Sequence, residues 1–500
     1  MKKEDKLKRL LLRFADWTSA HAINQIGHAQ NLLIRVLWAI LYVAFLCLFL
    51  WLFISVLTKY YSYETKVKTE VKFEERVFPA VTVCSLNPYK ASKLSLVPDL
   101  QTFSFEDAVE RSAFASHASV QLVHDVPEQQ WSQLTYNLSE FLLECNFGHR
   151  HCQPSDFTKF RDPLNGACYT FNKDSKHSSS RSGRESGLDL LLQVNQQEFL
   201  AVAENSGFRV TIHDQYSEPF ADAFGYNAGV GYVNSIGVTF RKIVDLQEPY
   251  GNCIKDKAEV PVFAYNSADY TAEACTRSCY QKATVETCGC IDPQFAYDGL
   301  DVSNISICSL EKLLCSEKLD PSSFRSTCKC YQACNGTRFM ATATQAKWPQ
   351  LENKPGVKGH EYDCNDKTKW KANKIDECLN WWQKNTLRVE VFYQSLSFTQ
   401  LESTVSYEVL DIVTDFAGLL GLWLGMSVIS VVEIFIFLVA IGTIGCGNKS
   451  LRQVIPDNED HLDDNYQLQP VCTAKQATAF FHGYLPGRAP VLEEDLNNDD

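Results

Sequence analysis

Two long apolar runs stand near opposite ends of this 500-residue chain, and all but three of its nineteen cysteines lie between them. Val36 to Leu57 is an almost unbroken apolar stretch of roughly 22 residues and Leu419 to Ile444 one of about 26, each long enough to cross a bilayer as a helix. The segment between two such helices stays on one side of the membrane. Its cysteines are even in number, while Cys47 lies in the first run and Cys446 and Cys472 follow the second. An even set in a separated loop reads as a disulfide-bonded domain in an oxidising compartment, so the loop is expected outside the cell.

Charge sets the orientation. Lys2, Lys3, Lys6, Lys8, Arg9, Arg13 and Arg35 precede the first run and Lys449 and Arg452 follow the second, which by the positive-inside rule places both termini in the cytoplasm. The first run is too long and too far from the N-terminus for a cleaved signal peptide and reads as an anchor. Asn137, Asn304 and Asn335 open N-x-S/T acceptor sequences inside the loop, where glycosylation reaches. The organisation expected is a cytoplasmic segment 1–35, a first span 36–58, an extracellular cysteine-rich region 59–418, a second span 419–444 and a cytoplasmic tail 445–500.

The net charge of −13 argues against nucleic acid, which selects a basic face. Much of the acid is local: Asp457, Glu459, Asp460, Asp463 and Asp464, then Glu493, Glu494, Asp495, Asp499 and Asp500, read as a solvated tail. The loop of roughly 360 residues exceeds an ordinary domain and should hold several subregions. Alternation at Ile236, Val238 and Phe240, and at Leu387, Val389, Val391 and Tyr393, predicts strands. Lys176 to Ser186, rich in Ser, Arg and Gly and containing Arg181 and Arg184, reads as an exposed loop.

Cysteine spacing adds geometry. Cys275 and Cys279 lie in a stretch with few helix breakers, where an i, i+4 pair shares a face about 6 Å apart. Cys328 and Cys330, i and i+2 on an extended strand, share a face about 6.6 Å apart. A helix docked antiparallel to such a strand can make two rungs, Cys275 with Cys330 and Cys279 with Cys328. The pairs at 288/290 and 328/330 superficially suggest zinc, but extracellular placement and the even total favour disulfides. No Ser/His/Asp grouping has a supporting motif, and the chain reads as a non-enzyme without cofactor or metal.

From about His21 to Cys446 the chain resembles the degenerin/epithelial sodium channel superfamily, which includes acid-sensing and peptide-gated channels, and looks closest to its degenerin and epithelial members. The motifs are Phe78-Pro79-Ala80-Val81-Thr82-Val83-Cys84 after the first run, Gly166-Ala167-Cys168-Tyr169-Thr170-Phe171-Asn172, the cysteine ladder, and Gly421-Leu422-Trp423-Leu424-Gly425-Met426-Ser427 in the second run. The resemblance implies an α+β membrane protein in which two transmembrane helices flank a disulfide-rich domain with a β-sheet palm, a helical thumb, and finger, β-ball and knuckle regions. It implies a trimer, of itself or with related subunits, whose second helices line a central pore for sodium and other small cations in the plasma membrane. It further implies the pairs Cys84–Cys168, Cys145–Cys152, Cys253–Cys334, Cys275–Cys330, Cys279–Cys328, Cys288–Cys315 and Cys290–Cys308. Cys364 and Cys378, which remain, are expected to pair with each other.

The same resemblance assigns sites. Gly425, Met426 and Ser427 match the G/S-x-S selectivity filter, Gly421 the position where amiloride-type blockers act, and Thr414 the small gate residue at which bulky substitutions hold degenerins open. Small residues also permit close helix approach. Asp415 is expected at the external mouth, concentrating cations. Glu433 within an apolar helix is costly facing lipid and is expected to face a wet interior as a ring of negative charge. Tyr63 and Tyr250 match an aromatic pair joining the first span to the thumb, where acid-sensing relatives have tryptophan at the second place.

Two departures stand out. The cytoplasmic His-Gly motif appears as His21-Ala22, which puts basal gating in question. Glu64 and Thr65 stand where acid-sensing relatives have paired histidines, so a simple proton sensor is not expected; the proline-tyrosine motif of epithelial tails is absent. The function expected is an amiloride-sensitive, sodium-permeable channel, either constitutively open or opened by an extracellular stimulus that one sequence does not identify. A non-conducting two-span receptor has no need of Glu433, and an ATP-gated purinergic-type channel would lack both the Phe78–Cys84 motif and the Gly425–Ser427 filter.

Overall fold

The computed structural model describes residues 11, 14–15, 18–29, 31–102, 119–200, 203–302, 304–316, 318–319, 328–350, 352, 354–370 and 374–445. The basic residues before Phe14, the acidic tail, Cys446, Cys472, Lys449 and Arg452 lie outside them, as do the side chains of His21 and Ala22. The chain divides into two compact units, 51–416 and 1–50 with 417–500.

The larger unit is built on two sheets. Its strands are β1 (Thr65–Phe73), β2 (Ala80–Ser85), β3 (Leu142–Phe147), β4 (Arg150–His151), β5 (Phe157–Asp162), β6 (Gly166–Phe171) and β7 (Leu188–Gln193). They continue with β8 (Gly207–His213), β9 (Tyr226–Gly229), β10 (Tyr232–Val244), β11 (Asn335–Lys347), β12 (Thr386–Tyr393) and β13 (Ser397–Val405). One sheet runs β1-β13-β10-β12-β7-β3-β4 with β11 also on β10, and the other runs β9-β8-β2-β6-β5. β2 and β6, central in the second sheet, are buried at every position, which is why the Phe78–Cys84 and Gly166–Phe171 motifs read as unbroken small and apolar runs rather than alternating ones. Alternation does hold in β10, where Ile236, Val238 and Phe240 are buried, and Leu387, Val389, Val391 and Tyr393 of β12 join the same core with Phe78, Phe171 and Phe208. β1 is an edge strand paired to β13 from Thr65–Val405 to Phe73–Ser397, and its Val67, Val71 and Phe73 remain open to solvent.

Eight disulfides staple this unit: Cys84–Cys168, Cys145–Cys152, Cys253–Cys334, Cys275–Cys330, Cys279–Cys328, Cys288–Cys315, Cys290–Cys308 and Cys364–Cys378. Seven are the pairs that the resemblance implied, and Cys364–Cys378 joins the two cysteines that remained. Cys47, exposed, is the free cysteine among the described residues. Cys275 and Cys279 share a helix, Ala272–Cys288, capped by the Thr271 side chain and ended by Gly289 in the left-handed conformation, the arrangement these residues favour. Their partners depart from expectation: Cys328 and Cys330 flank Lys329 at φ +48° in a turn, not a strand. Cys328, at the end of a helical turn, and Cys330, just past Lys329, still reach one helix face, with Cα separations of 6.2 and 5.6 Å to Cys279 and Cys275.

The stretch 176–186 is also less free than its composition suggests. Ser178–Ser179 pairs with Arg76–Val77, the Gly183 amide donates to the Tyr393 carbonyl at 2.9 Å, and Arg184 pairs with buried Glu390. Arg181 stays exposed.

The apolar runs form helices at the ends. The first is 30 residues, Leu32–Tyr61, about 45 Å long at 1.5 Å per residue and long enough to cross a bilayer. Leu33, Trp51 and Ile54 are 80, 64 and 57% exposed, an apolar surface suited to lipid rather than water. The second run departs from a single expected span. It forms two helices, Val409–Leu424 and Val428–Gly445, and the two apolar stretches are bent by 82° at a break covering 425–427. One helix among the described residues is therefore long and apolar enough to cross alone, and a second crossing requires the bent pair to act together.

Candidate permeation site

The break is written into three residues. Gly425 adopts φ +60°, a left-handed conformation that glycine enters without steric cost and that commonly ends helices. The Met426 amide turns back to the Leu420 carbonyl at 3.3 Å. Ser427 then starts the next helix: its carbonyl accepts from Val431 at 3.2 Å, its hydroxyl accepts from the Ser430 amide at 3.3 Å, and its own amide donates to the Ser430 hydroxyl at 3.1 Å. This is a reciprocal capping box with serine in the usual Glu/Gln place. Gly425 and Ser427 are exposed and Met426 half-buried. The predicted filter residues thus sit together outside helical geometry, which also means that helical periodicity running through Thr414 does not extend to Gly425.

Glu433 has a different environment from the open ring expected. It is 8% exposed, and its Oε2 accepts the Ser19 amide at 2.8 Å and the hydroxyls of Thr18 and Ser19 at 3.1 Å each. A buried carboxylate requires donors, and here the N-terminal segment of the same chain supplies them. Ser19 Oγ also lies 2.7 Å from Ser430 Oγ, and Phe14 stacks on Phe437 at 4.1 Å. Ala20, just before the helix His21–His28, is fully buried. Thr18, Ser19 and Ser430 were missed from sequence; the spacing Ser427-x-x-Ser430 was the one available signal.

Upstream, Thr414 is exposed on the helix Val409–Leu424, its hydroxyl donating to the Asp411 carbonyl at 3.0 Å. Asp415 is engaged by the Tyr407 hydroxyl, and Lys59 Nζ lies 4.7 Å from the Tyr407 ring centroid. Burial, then the hydrogen bond to Asp415, pushes the Tyr407 hydroxyl up to about 12, so it stays a donor at neutral pH. Gly421 is exposed, with the Met426 carbonyl 3.9 Å from where a Cβ would stand. Tyr63 and Tyr250 meet edge-to-face at 5.4 Å. Asn137, Asn304 and Asn335 are exposed.

His213 is buried, its Nε2 2.8 Å from the Thr82 hydroxyl and its Nδ1 2.8 Å from the Asp214 carbonyl, and burial pushes it down to about 4. His149 and His151 are exposed.

Comparison with known proteins agrees with this architecture. A family model for the amiloride-sensitive sodium channel matches residues 14–437. The chain is 28% identical to degenerin-like protein asic-2 of Caenorhabditis elegans over 97% of this chain and 96% of that one. It is 32% identical to degenerin-like protein unc-105 and 33% identical to degenerin unc-8 of the same organism, over 68 and 67% of this chain but only 39 and 43% of theirs. A solved structure described as the "Cryo-EM structure of a proton-activated chloride channel" overlaps 81% of this chain and 98% of that one at a TM-score of 0.31 and 7% identity, a likeness too slight to carry an argument. Disulfides, sheets, apolar end segments and family match together place the chain in the degenerin/epithelial sodium channel superfamily, a family of membrane-resident ion channels.

Proposed function

We propose that this chain is a subunit of a sodium-permeable, amiloride-sensitive cation channel of the plasma membrane, trimeric with itself or with related subunits, with both termini cytoplasmic. Residues 36–58 and 419–444 would cross the bilayer, 59–418 would stand outside, and 1–35 and 445–500 would lie in the cytoplasm. The observation that carries this reading is the interruption at Gly425–Ser427. Backbone outside a helix is tolerated at membrane depth only where it meets protein or a wet cavity, and three such breaks around an axis would form a ring of oxygens that replaces part of an ion's hydration.

Assembly is supported by what a single chain leaves uncovered. Thr414, Ala417, Gly418 and Gly421 lie along one exposed face of the helix Val409–Leu424, and nothing lies within 4 Å of a Cβ built at Gly418. Small residues on such a face allow neighbouring helices to approach closely. Amiloride would act at Gly421, above the constriction, and Thr414 would stand at the gate. Asp415, tied to Tyr407, would contribute negative charge at the outer mouth. Glu433 would act mainly by holding the N-terminal segment.

The test is whole-cell current from cells expressing the chain, alone and with related subunits, under sodium replacement and amiloride, beside surface biotinylation. A sodium-carried, amiloride-blocked current is expected. A chain that reaches the surface and carries no cation current in any combination or under any applied stimulus would sink the channel reading in favour of a receptor.

A further inference from the structure

The break and the N-terminal segment are joined by one run of hydrogen bonds, and its direction is fixed by its ends. The Ser427 amide can only donate and does so to Ser430 Oγ at 3.1 Å, Ser430 Oγ lies 2.7 Å from Ser19 Oγ, and Ser19 Oγ lies 3.1 Å from the Glu433 carboxylate. The Ser19 hydroxyl donates to Glu433, and with its one proton spent it accepts from Ser430, so the donors follow one another toward Glu433: Ser427 N–H to Ser430, Ser430 O–H to Ser19, Ser19 O–H to Glu433. Bonds aligned this way reinforce one another. Ser430 is the junction. It has no exposed surface, closes the capping box that starts the helix, and is the side chain through which the N-terminal segment reaches the break. The Ser427 hydroxyl, which accepts the Ser430 amide, is committed to that cap.

We propose that Ser430 is a positioning residue for ion selectivity: it fixes the orientation of the Gly425–Ser427 break and couples it to Ser19 and Glu433. Ion discrimination then depends on a side chain that touches no ion. The proposal deepens the channel reading and rests on it.

Two measurements test it. In full-length chain carrying Cys47→Ser, Cys446→Ser and Cys472→Ser, the pair Ser19→Cys and Ser430→Cys is treated with a mild oxidant in membranes and mapped without reduction; a 19–430 cross-link is expected, and it needs no current. In conducting channels, Ser430→Ala should lower the sodium-to-potassium permeability ratio at least about twofold, because a selectivity ring depends on oxygen placement. Ser430→Thr, which keeps the hydroxyl, should retain the ratio. Ser19→Ala should lower it less, and adding Ser19→Ala to Ser430→Ala should change nothing further, since both cut one path. An unchanged ratio in Ser430→Ala, equal losses in the alanine and threonine variants, additive losses in the double variant, or no cross-link in a conducting chain would each overturn the proposal. Absence of current from wild type and variants alike, with the cross-link formed, would overturn the channel reading and the selectivity clause with it.

Discussion

Ser427 and Met426 are neighbours at the break with opposite chemistry toward a hard cation. Hydroxyl and backbone oxygens suit sodium and a thioether does not, and Ser427 also caps the following helix. Removing such a cap costs about 1 kcal/mol, enough to loosen the carbonyls around it. Ser427→Ala is therefore expected to shift the sodium-to-potassium reversal potential clearly, and Met426→Leu to shift it less; unaltered reversal in a conducting Ser427→Ala channel would remove these residues from the filter. His213 bears on pH. Held neutral near pKa 4 against about 6.5 unfolded, it contributes its full stability above the unfolded value and loses it as pH falls toward the folded one, up to about 3 kcal/mol. Buried and neutral, it does not titrate between neutral pH and 6. With Glu64 and Thr65 in place of the paired histidines of acid-sensing relatives, a step to pH 6 is expected to evoke no steep transient current, and His213→Gln should flatten the fall in thermal stability between roughly pH 6.5 and 4. A large transient current on that step would return acid sensing to this chain.

The helix Ala272–Cys288 and the turn at Lys329 are joined as adjacent rungs, so Cys275→Ser with Cys330→Ser should lower stability by roughly 2–4 kcal/mol, the usual effect of releasing a loop of this kind. Non-reducing peptide mapping of the native protein should find 275 with 330 and 279 with 328; Cys275 joined to Cys279 would refute the ladder. The helical half of that ladder was legible because i, i+4 spacing is a property of one element. The other half was not, since Cys-x-Cys shares a face in a strand and can do so across a turn, and only the positive φ of Lys329 separates the two. Strands β10 and β12 showed themselves by alternation, whereas the break in the second apolar run was hidden: Gly425 within hydrophobic sequence reads equally as a packing glycine. The contact of Thr18 with Glu433, 415 positions apart, has no local signature. The sequence did mark Glu433 as a carboxylate requiring partners, and tertiary folding supplies them from the hydroxyls of Thr18 and Ser19 and the Ser19 amide.

At the scale of the assembled channel, Thr414 is the sharpest probe. It lies about two helical turns before Gly421, on the same exposed face as Ala417 and Gly418, a face of small side chains with open space beside Gly418. The helix ends at Leu424, so this face, rather than a continuous helix through Gly425, relates Thr414 to the pore. In a trimer whose second segments converge when closed, that face is where three copies would crowd. A tryptophan there would clash in the closed arrangement and be accommodated once the helices part, so its strain raises the energy of the closed state alone. A change of about 1.4 kcal/mol moves such an equilibrium tenfold. Thr414→Trp is therefore expected to give a sustained, amiloride-sensitive cation current well above that of the wild type, read as whole-cell current against surface biotinylation. The same substitution at exposed Val413, about 100° around the helix, should have a much smaller effect. A Thr414→Trp chain present at the surface at wild-type levels with no rise in basal current would take Thr414 out of the gate. Equal currents from the two variants would mean that bulk anywhere on this helix opens the channel, and that the small face is not what closes it.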